Sequence, residues 1–310
     1  MQDPLLLPTD GAPYPLVLRN AGYAWWRSLF GALVGLSLFG LLTAVVSQLV
    51  VRLVWTITQP VDYRTYYTQA FAFERPVGMV ASNLGIITLI PISLVLVLVV
   101  HHVRPRWLFS VRPGIRWRYL LACLGVAVLT IGGVQAISSV AGGVPGFAMQ
   151  EGFWAFLVVI VLLSPLQAAA EEIFFRGYLL QALGSVVARP WFGVVGSALV
   201  FALMHGTQNL PLFCNRLAFG LLAGLLVWRV GGLEAGIAAH VINNVVAYVY
   251  AGLTTSFAAL KAVRELTWTA SAIQVAGFAV FVLMALLVAR LMRLRTTVDR
   301  SAVDAPATPA

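Results

Sequence analysis

The sequence predicts an all-α fold: a polytopic transmembrane bundle of about eight membrane helices with both termini cytoplasmic. Three observations carry that expectation. Of 310 residues, 60% are hydrophobic and only 10% charged, whereas an ordinary soluble domain is ~25% charged. Apolar runs recur from about residue 29 to residue 292, which leaves no stretch for a sizeable soluble domain. The basic residues gather at the ends of those runs, as they do in chains oriented by a bilayer. Helices are the expected form because backbone groups in hydrocarbon must be satisfied within their own segment.

Residues 1–28 read as a short cytoplasmic tail, lacking the basic start and unbroken apolar core of a cleaved leader. A membrane helix takes ~20 largely apolar residues. The segments that qualify are 29–51, 80–100, 119–138, 153 to about 184, 191–206, 215–228, 233–251 and 272–291. The fifth and sixth are short for full crossings, and Pro165 is placed to bend the long fourth one. Gly31 and Gly35, Gly220 and Gly224, and Gly232 and Gly236 are spaced four apart and predict close helix packing. Trp25, Trp26, Trp55 and Trp228 fall near segment ends, as interfacial anchors do. The membrane domain is thus 29–292, followed by a small, polar and proline-containing tail, 293–310, expected to be disordered.

With the N-terminus inside, fourteen of the twenty basic residues fall on the inner side and six, Arg52, Arg64, Arg75, Arg216, Lys261 and Arg264, on the outer. The run Arg104–Arg106–Arg112–Arg116–Arg118 carries much of that bias. The formal charge of +9 therefore belongs to membrane topology, not to a nucleic-acid surface, and the partner it implies is a lipid bilayer. Nineteen arginines to one lysine fit GC-rich bacterial coding, so the expected location is a bacterial cytoplasmic (inner) membrane. Cys123 and Cys214 form neither a disulfide framework nor a metal motif.

Against this apolar background AAAEEIFFRGYLL stands out. Glu172 and Arg176 are i and i+4 and share a helix face as an ion pair, while Glu171 points about 100° away and is left for a polar cavity. His205 in FALMHGTQN closes the fifth segment, and His240 in AGIAAHVINNV shares a face with Asn244 inside the seventh. Ionisable groups within a membrane mark proton, substrate or catalytic sites. If the fourth helix continues to about Leu183, Glu171 and His205 both lie ~20 Å from the turn at 185–190. His240, eight residues beyond Gly232, reaches only ~12 Å, so its helix must start higher or tilt.

Such a set suits peptide-bond hydrolysis, which needs a base for water, an acid for the leaving nitrogen and donors for the oxyanion. Glu171 would serve as base and then acid, His205 would orient the water, and His240 with Asn244 would face the tetrahedral oxygen. A zinc version stands beside it, with Glu171, His205 and His240 as candidate metal ligands. The sequence has no HExxH helix, and a Glu171 bound to metal would need another base, for which Glu172 is the candidate only if Arg176 does not hold it.

EEIFFR, FALMH and HVINN match the EExxxR, FxxxH and HxxxN patterns in order. In this the chain resembles the CPBP intramembrane protease family, which includes the type II CAAX prenyl endopeptidases and bacterial homologues once called abortive-infection proteins. The motifs cover 171–244, and the eight-helix body extends the likeness over roughly 29–292. The resemblance implies a catalytic Glu171, a water-positioning His205, an oxyanion-side His240 and Asn244, and support from Glu172 and Arg176. Asn243 falls outside the HxxxN match. The expected substrate is a membrane-associated protein or peptide, cut in a glutamate-dependent or metal-dependent reaction. Two other classes fit the same residues: a non-proteolytic membrane scaffold or immunity protein, and a proton-coupled transporter. A transporter requires two gated routes, whereas a protease needs one water-filled site open to the inner face or laterally to lipid.

Overall fold

The structure, a computed structural model, describes residues 5–143 and 146–300. Among these the chain is all-α, with three isolated bridges and no strand. Its helices are α1 (Trp25–Thr58), α2 (Tyr63–Phe71), α3 (Pro76–Val100), α4 (Trp117–Val140), α5 (Phe153–Leu162), α6 (Ser164–Val187), α7 (Pro190–Leu203), α8 (Leu210–Val230), α9 (Glu234–Thr254), α10 (Phe257–Ala262) and α11 (Trp268–Leu291).

Six of these, α1, α3, α4, α8, α9 and α11, are long and apolar enough to cross a bilayer, and α5 with α6 makes a seventh span bent by 41°. With the shorter α7 they correspond one to one with the predicted segments. The bend falls where Pro165, second residue of α6, removes the N–H that would bond one turn back. Neither α2 nor α10 was anticipated, being too short to register as a span. Each nonetheless carries a legible start: Asp62 accepts from the Thr65 N–H and Ser256 from the Ala259 N–H.

The outer surface is what lipid requires. Leu33, Leu41, Leu49 and Leu53 along α1 are 58–68% exposed, a continuous apolar face that water would penalise. Inside, small residues set the helix spacing. A Cβ at Gly35 would come within 2.9 Å of Phe174, and one at Gly220 within 2.9 Å of Ala198, so α1 rides close on α6 and α8 on α7.

Both described ends lie on one face of the bundle. Leu6 bridges Val103, Pro13 bridges Thr297, and Ser110 bridges Gly232, which gathers the two ends with the 101–116 and 231–233 connections. The N-terminal tail, and the part of the C-terminal tail expected to be disordered that is described, pack against the bundle. Tyr14, Val17 and Leu18 are fully or almost fully buried, and Val298, itself buried, exchanges backbone hydrogen bonds with Gly11 and Ala12. The remainder of the C-terminal tail, 301–310, lies outside the described residues. Arg176, counted with the inner-side basic residues, sits instead in the core. The bias toward the terminal face survives its removal, at thirteen against six.

Candidate active site

The depth problem posed by His240 is solved at the start of α9. Residues 231–240 are all buried, because the 101–116 connection folds beneath them and lifts the helix start into the bundle. Arg116 holds it there: its backbone N–H and Nε each donate to Glu234 Oε1 at 2.9 Å, and Nη2 reaches Oε2 at 2.6 Å. The helix begins within the bundle, and His240 arrives level with the acids of α6.

There α6 changes character. It is α-helical to Glu171 and then widens into a π-helical stretch, Glu172–Leu179, whose residues are all buried. Widened turns of this kind recur at functional sites because they re-aim adjacent side chains. Both glutamates converge on one ring: Glu171 Oε2 lies 3.3 Å from His240 Nε2, and His240 Nδ1 is 2.8 Å from Glu172 Oε1. Arg176 Nη1 approaches the same Glu172 oxygen at 3.1 Å, and the guanidinium lies 4.0 Å from the Phe201 ring centroid and 5.4 Å from that of Phe219. Glu172 and Arg176 are fully enclosed, whereas the Glu171 side chain is 12% accessible.

His205 comes from the end of α7. Its Nδ1 lies 2.7 Å from the Phe201 carbonyl oxygen. A carbonyl only accepts, so Nδ1 carries the proton and Nε2 of the neutral ring keeps its lone pair. Gly206 then turns the chain away with φ +76°. Asn244 Nδ2 donates to Gln167 Oε1 at 3.1 Å, and its own oxygen accepts from Asn243 at 3.3 Å. That leaves the second Asn244 N–H without a hydrogen-bond partner among the described residues.

Glu171, His205 and Asn244 line one cavity of about 480 Å³, together with Phe175, Phe201, Tyr248 and the cations Arg216, Lys261 and Arg264. Its origin is the length of α7. Fourteen residues rise only ~21 Å against a hydrocarbon thickness of ~30 Å, so the helix stops short and a polar gap remains beyond it. The open end carries the exposed Lys261 and Arg264, on the face opposite the termini. Of the two openings expected for a protease, to the inner face or laterally to lipid, the one on the terminal face is not what α7 produces.

His240 stands behind the cavity wall, both ring nitrogens turned to carboxylates. That arrangement does not suit the zinc alternative: among the described residues no three or more His, Cys, Asp or Glu side chains are grouped to hold a metal ion. Asn243 faces a separate apolar cavity. Gln167, Tyr248, Arg216, Lys261 and Arg264 were not singled out from sequence. Gln167 was legible as the residue one turn before Glu171, and Tyr248 as one turn after Asn244. The cations were legible only as charges flanking a membrane.

The comparisons with known proteins fall on this part of the chain. A family model described as Type II CAAX prenyl endopeptidase Rce1-like matches residues 152–246, the span that supplies Glu171, His205, His240 and Asn244. A Bacillus subtilis (strain 168) protein named uncharacterized protein YyaK is 32% identical over 110 residues, covering 32% of this chain and 36% of that protein. The chain thus matches about a third of that relative's length. No solved structure matches. The protein is an integral membrane protein by its apolar helices, and the segment that builds its cavity is similar to the type II CAAX prenyl endopeptidase Rce1-like family.

Proposed function

We propose that the protein is an intramembrane endopeptidase of a bacterial cytoplasmic membrane that hydrolyses peptide bonds of a membrane-associated protein or peptide. One observation carries the reading: an acid, an imidazole with a free lone pair and an amide donor, from three helices, line a single polar cavity within the bundle.

In the mechanism this supports, water sits between Glu171 and His205. Glu171 takes its proton as the oxygen bonds to the scissile carbonyl carbon, and Nε2 of His205 accepts a hydrogen bond that orients the lone pair. The carbonyl oxygen becomes an oxyanion, stabilised by the free Asn244 N–H, a contribution of ~3 kcal/mol for one well-placed donor. Collapse breaks the C–N bond, and the proton on Glu171 passes to the leaving nitrogen. His240 acts as a positioning residue: anchored by Glu172 and Arg176, it fixes the Glu171 carboxylate against the cavity wall. Gln167 does the same for Asn244. If the arginine-rich terminal face is cytoplasmic, the cavity admits substrate from the opposite side of the membrane.

The test is a cleavage screen with purified protein in detergent or lipid, comparing wild type, Glu171→Ala and His205→Ala after each is shown to fold. Turnover is expected in the wild type and absent from both variants. Equal activity in Glu171→Ala rejects the mechanism, and loss of activity on chelation, restored by zinc, rejects its glutamate-only form. A folded wild type that cuts nothing favours the scaffold reading.

A further inference from the structure

On the terminal face, the start of α4 and the end of α11 enclose a second polar cavity, of about 640 Å³, lined by Arg112, Arg116, Arg118, Arg293 and Arg295 and by no acidic residue. Orienting helices in a bilayer needs basic residues near segment ends, but it does not need five of them converging on one hollow. Local contacts hold them there. The Arg116 guanidinium forms the floor: besides Glu234 it meets the Val230 carbonyl at 2.9 Å and the Arg295 carbonyl at 3.3 Å, which ties the chain after α11 to the start of α4. Ser110 Oγ accepts from the Arg112 N–H at 3.0 Å and donates to the Arg112 carbonyl, fixing the backbone at that edge. The Tyr119 hydroxyl donates to the Ala285 carbonyl at 3.0 Å and joins the two helices one turn deeper.

The far edge is held in a costly backbone. At the end of α11 the Arg293 N–H donates to the Arg290 carbonyl at 3.0 Å and the Leu294 N–H to the Ala289 carbonyl at 3.1 Å, a helix ending whose left-handed residue is usually glycine. Here it is Arg293, at φ +52°, and strain of that kind gathers at ligand-binding positions. Arg112, Arg118 and Arg293 are exposed, and their side chains make no hydrogen bond or ion pair among the described residues. Glu234 is already held by Arg116, and Asp299 lies 3.7 Å from Arg295 outside the lining. No side chain caps the start of α4, where Trp117 and Arg118 line the cavity, and such a helix start adds to the attraction for an anion. The surface next to the guanidinium groups is apolar: Trp117 and Leu121 on α4 are each 64% exposed and Leu291 on α11 is 74% exposed. A cationic hollow opening onto bare hydrocarbon-facing side chains matches an amphiphile with a negative head.

We infer that this cavity is a phosphate-binding site for the head group of an anionic phospholipid in the leaflet at the terminal face, with Arg112, Arg118 and Arg293 around the phosphate and the acyl chains along Trp117, Leu121 and Leu291. Planar guanidinium groups suit phosphate oxygens through paired hydrogen bonds. Because Arg116 both floors the cavity and holds Glu234, a bound lipid braces the start of α9. The site stands whether or not the protein is a protease.

Thermal unfolding reads the binding directly. Full-length protein, stripped of lipid in an uncharged detergent, is melted with added phosphatidylglycerol, phosphatidylcholine or inorganic phosphate at one concentration. Phosphatidylglycerol is expected to raise the melting temperature by roughly 5 °C over phosphatidylcholine, the scale of a ligand at about a hundred times its Kd, and inorganic phosphate by less. Arg118→Gln should lose most of that rise. Arg293→Gly should lose it too while melting at or above the wild type in phosphatidylcholine, since glycine relieves the left-handed backbone, a combination that a damaged fold does not produce. Arg189→Gln, in the turn between α6 and α7 and outside the cavity, should keep the full rise. Equal melting in the two lipids overturns the site, and an equal rise with inorganic phosphate overturns its assignment to a lipid. If Arg189→Gln loses as much as Arg118→Gln, the response belongs to diffuse surface charge and the site is likewise overturned.

Discussion

Gly236 faces the Glu172 carboxylate across the α6–α9 contact, and replacing it by alanine tests the acid–imidazole clasp without replacing any polar side chain. A Cβ at Gly236 would lie 2.9 Å from Glu172 Oε2 and 3.4 Å from Val227 Cγ2. Restoring ordinary contact requires a shift of ~0.5 Å, and the carboxylate is the movable partner. Its other oxygen makes the 2.8 Å bond to His240, which the shift stretches past the ~3.2 Å limit of a good N–H···O bond. A hydrogen bond to a charged group contributes about 1.5–3 kcal/mol, so a loss of that order in positioning lowers kcat by roughly ten- to a hundredfold. Alanine regains ~1 kcal/mol of helix propensity, so the melting temperature should fall only modestly. The assay is cleavage of a peptide found by the screen, with thermal unfolding in detergent alongside. Gly40→Ala is the control, since nothing lies within 4 Å of a Cβ placed there. If Gly236→Ala matched Gly40→Ala in both turnover and melting, the Glu172–His240 contact would not position Glu171.

Other expectations follow from the same contacts. Glu234→Ala leaves Arg116 without its carboxylate at the buried start of α9 and should destabilise the fold by about 3–5 kcal/mol, read as a large drop in melting temperature. Gln167→Ala frees the Asn244 amide to rotate; a tenfold or greater fall in kcat with little change in KM is expected, and a change in KM alone would place Asn244 in binding instead. His101, just outside α3, is buried beside Tyr178, and burial, then the Arg27 charge, lowers its pKa to about 4. The unfolded chain takes up that proton near 6.5 and the folded one only near 4, so this contribution is complete above pH 6.5. It is lost as pH falls toward 4, and it amounts to roughly 3 kcal/mol. Melting temperatures across that window should fall in the wild type and flatten in His101→Gln.

How much of this was legible beforehand varies with the range of the interaction. The eight apolar segments were, because hydrocarbon imposes its length on each helix independently. The bend at Pro165 was too, since a missing N–H acts within one turn. The Glu172–Arg176 pair follows from i,i+4 spacing alone. The placement of His240 between two glutamates did not follow: it needs the π-helical widening of α6 and the lift of α9 by Arg116, a residue 118 positions before Glu234. Nor did the direction of the cavity, which depends on α7 ending early against neighbours that continue.

The sequence by itself determined that the chain lies in a bilayer, which segments cross it, and which few ionisable residues are carried into it, because burial of apolar surface and local helix geometry are properties of each segment alone. Which of those residues share a cavity, which stand behind its wall, and where it opens were decided only by tertiary structure. Those outcomes turn on relative helix depth and rotation, set by contacts between residues far apart in the chain.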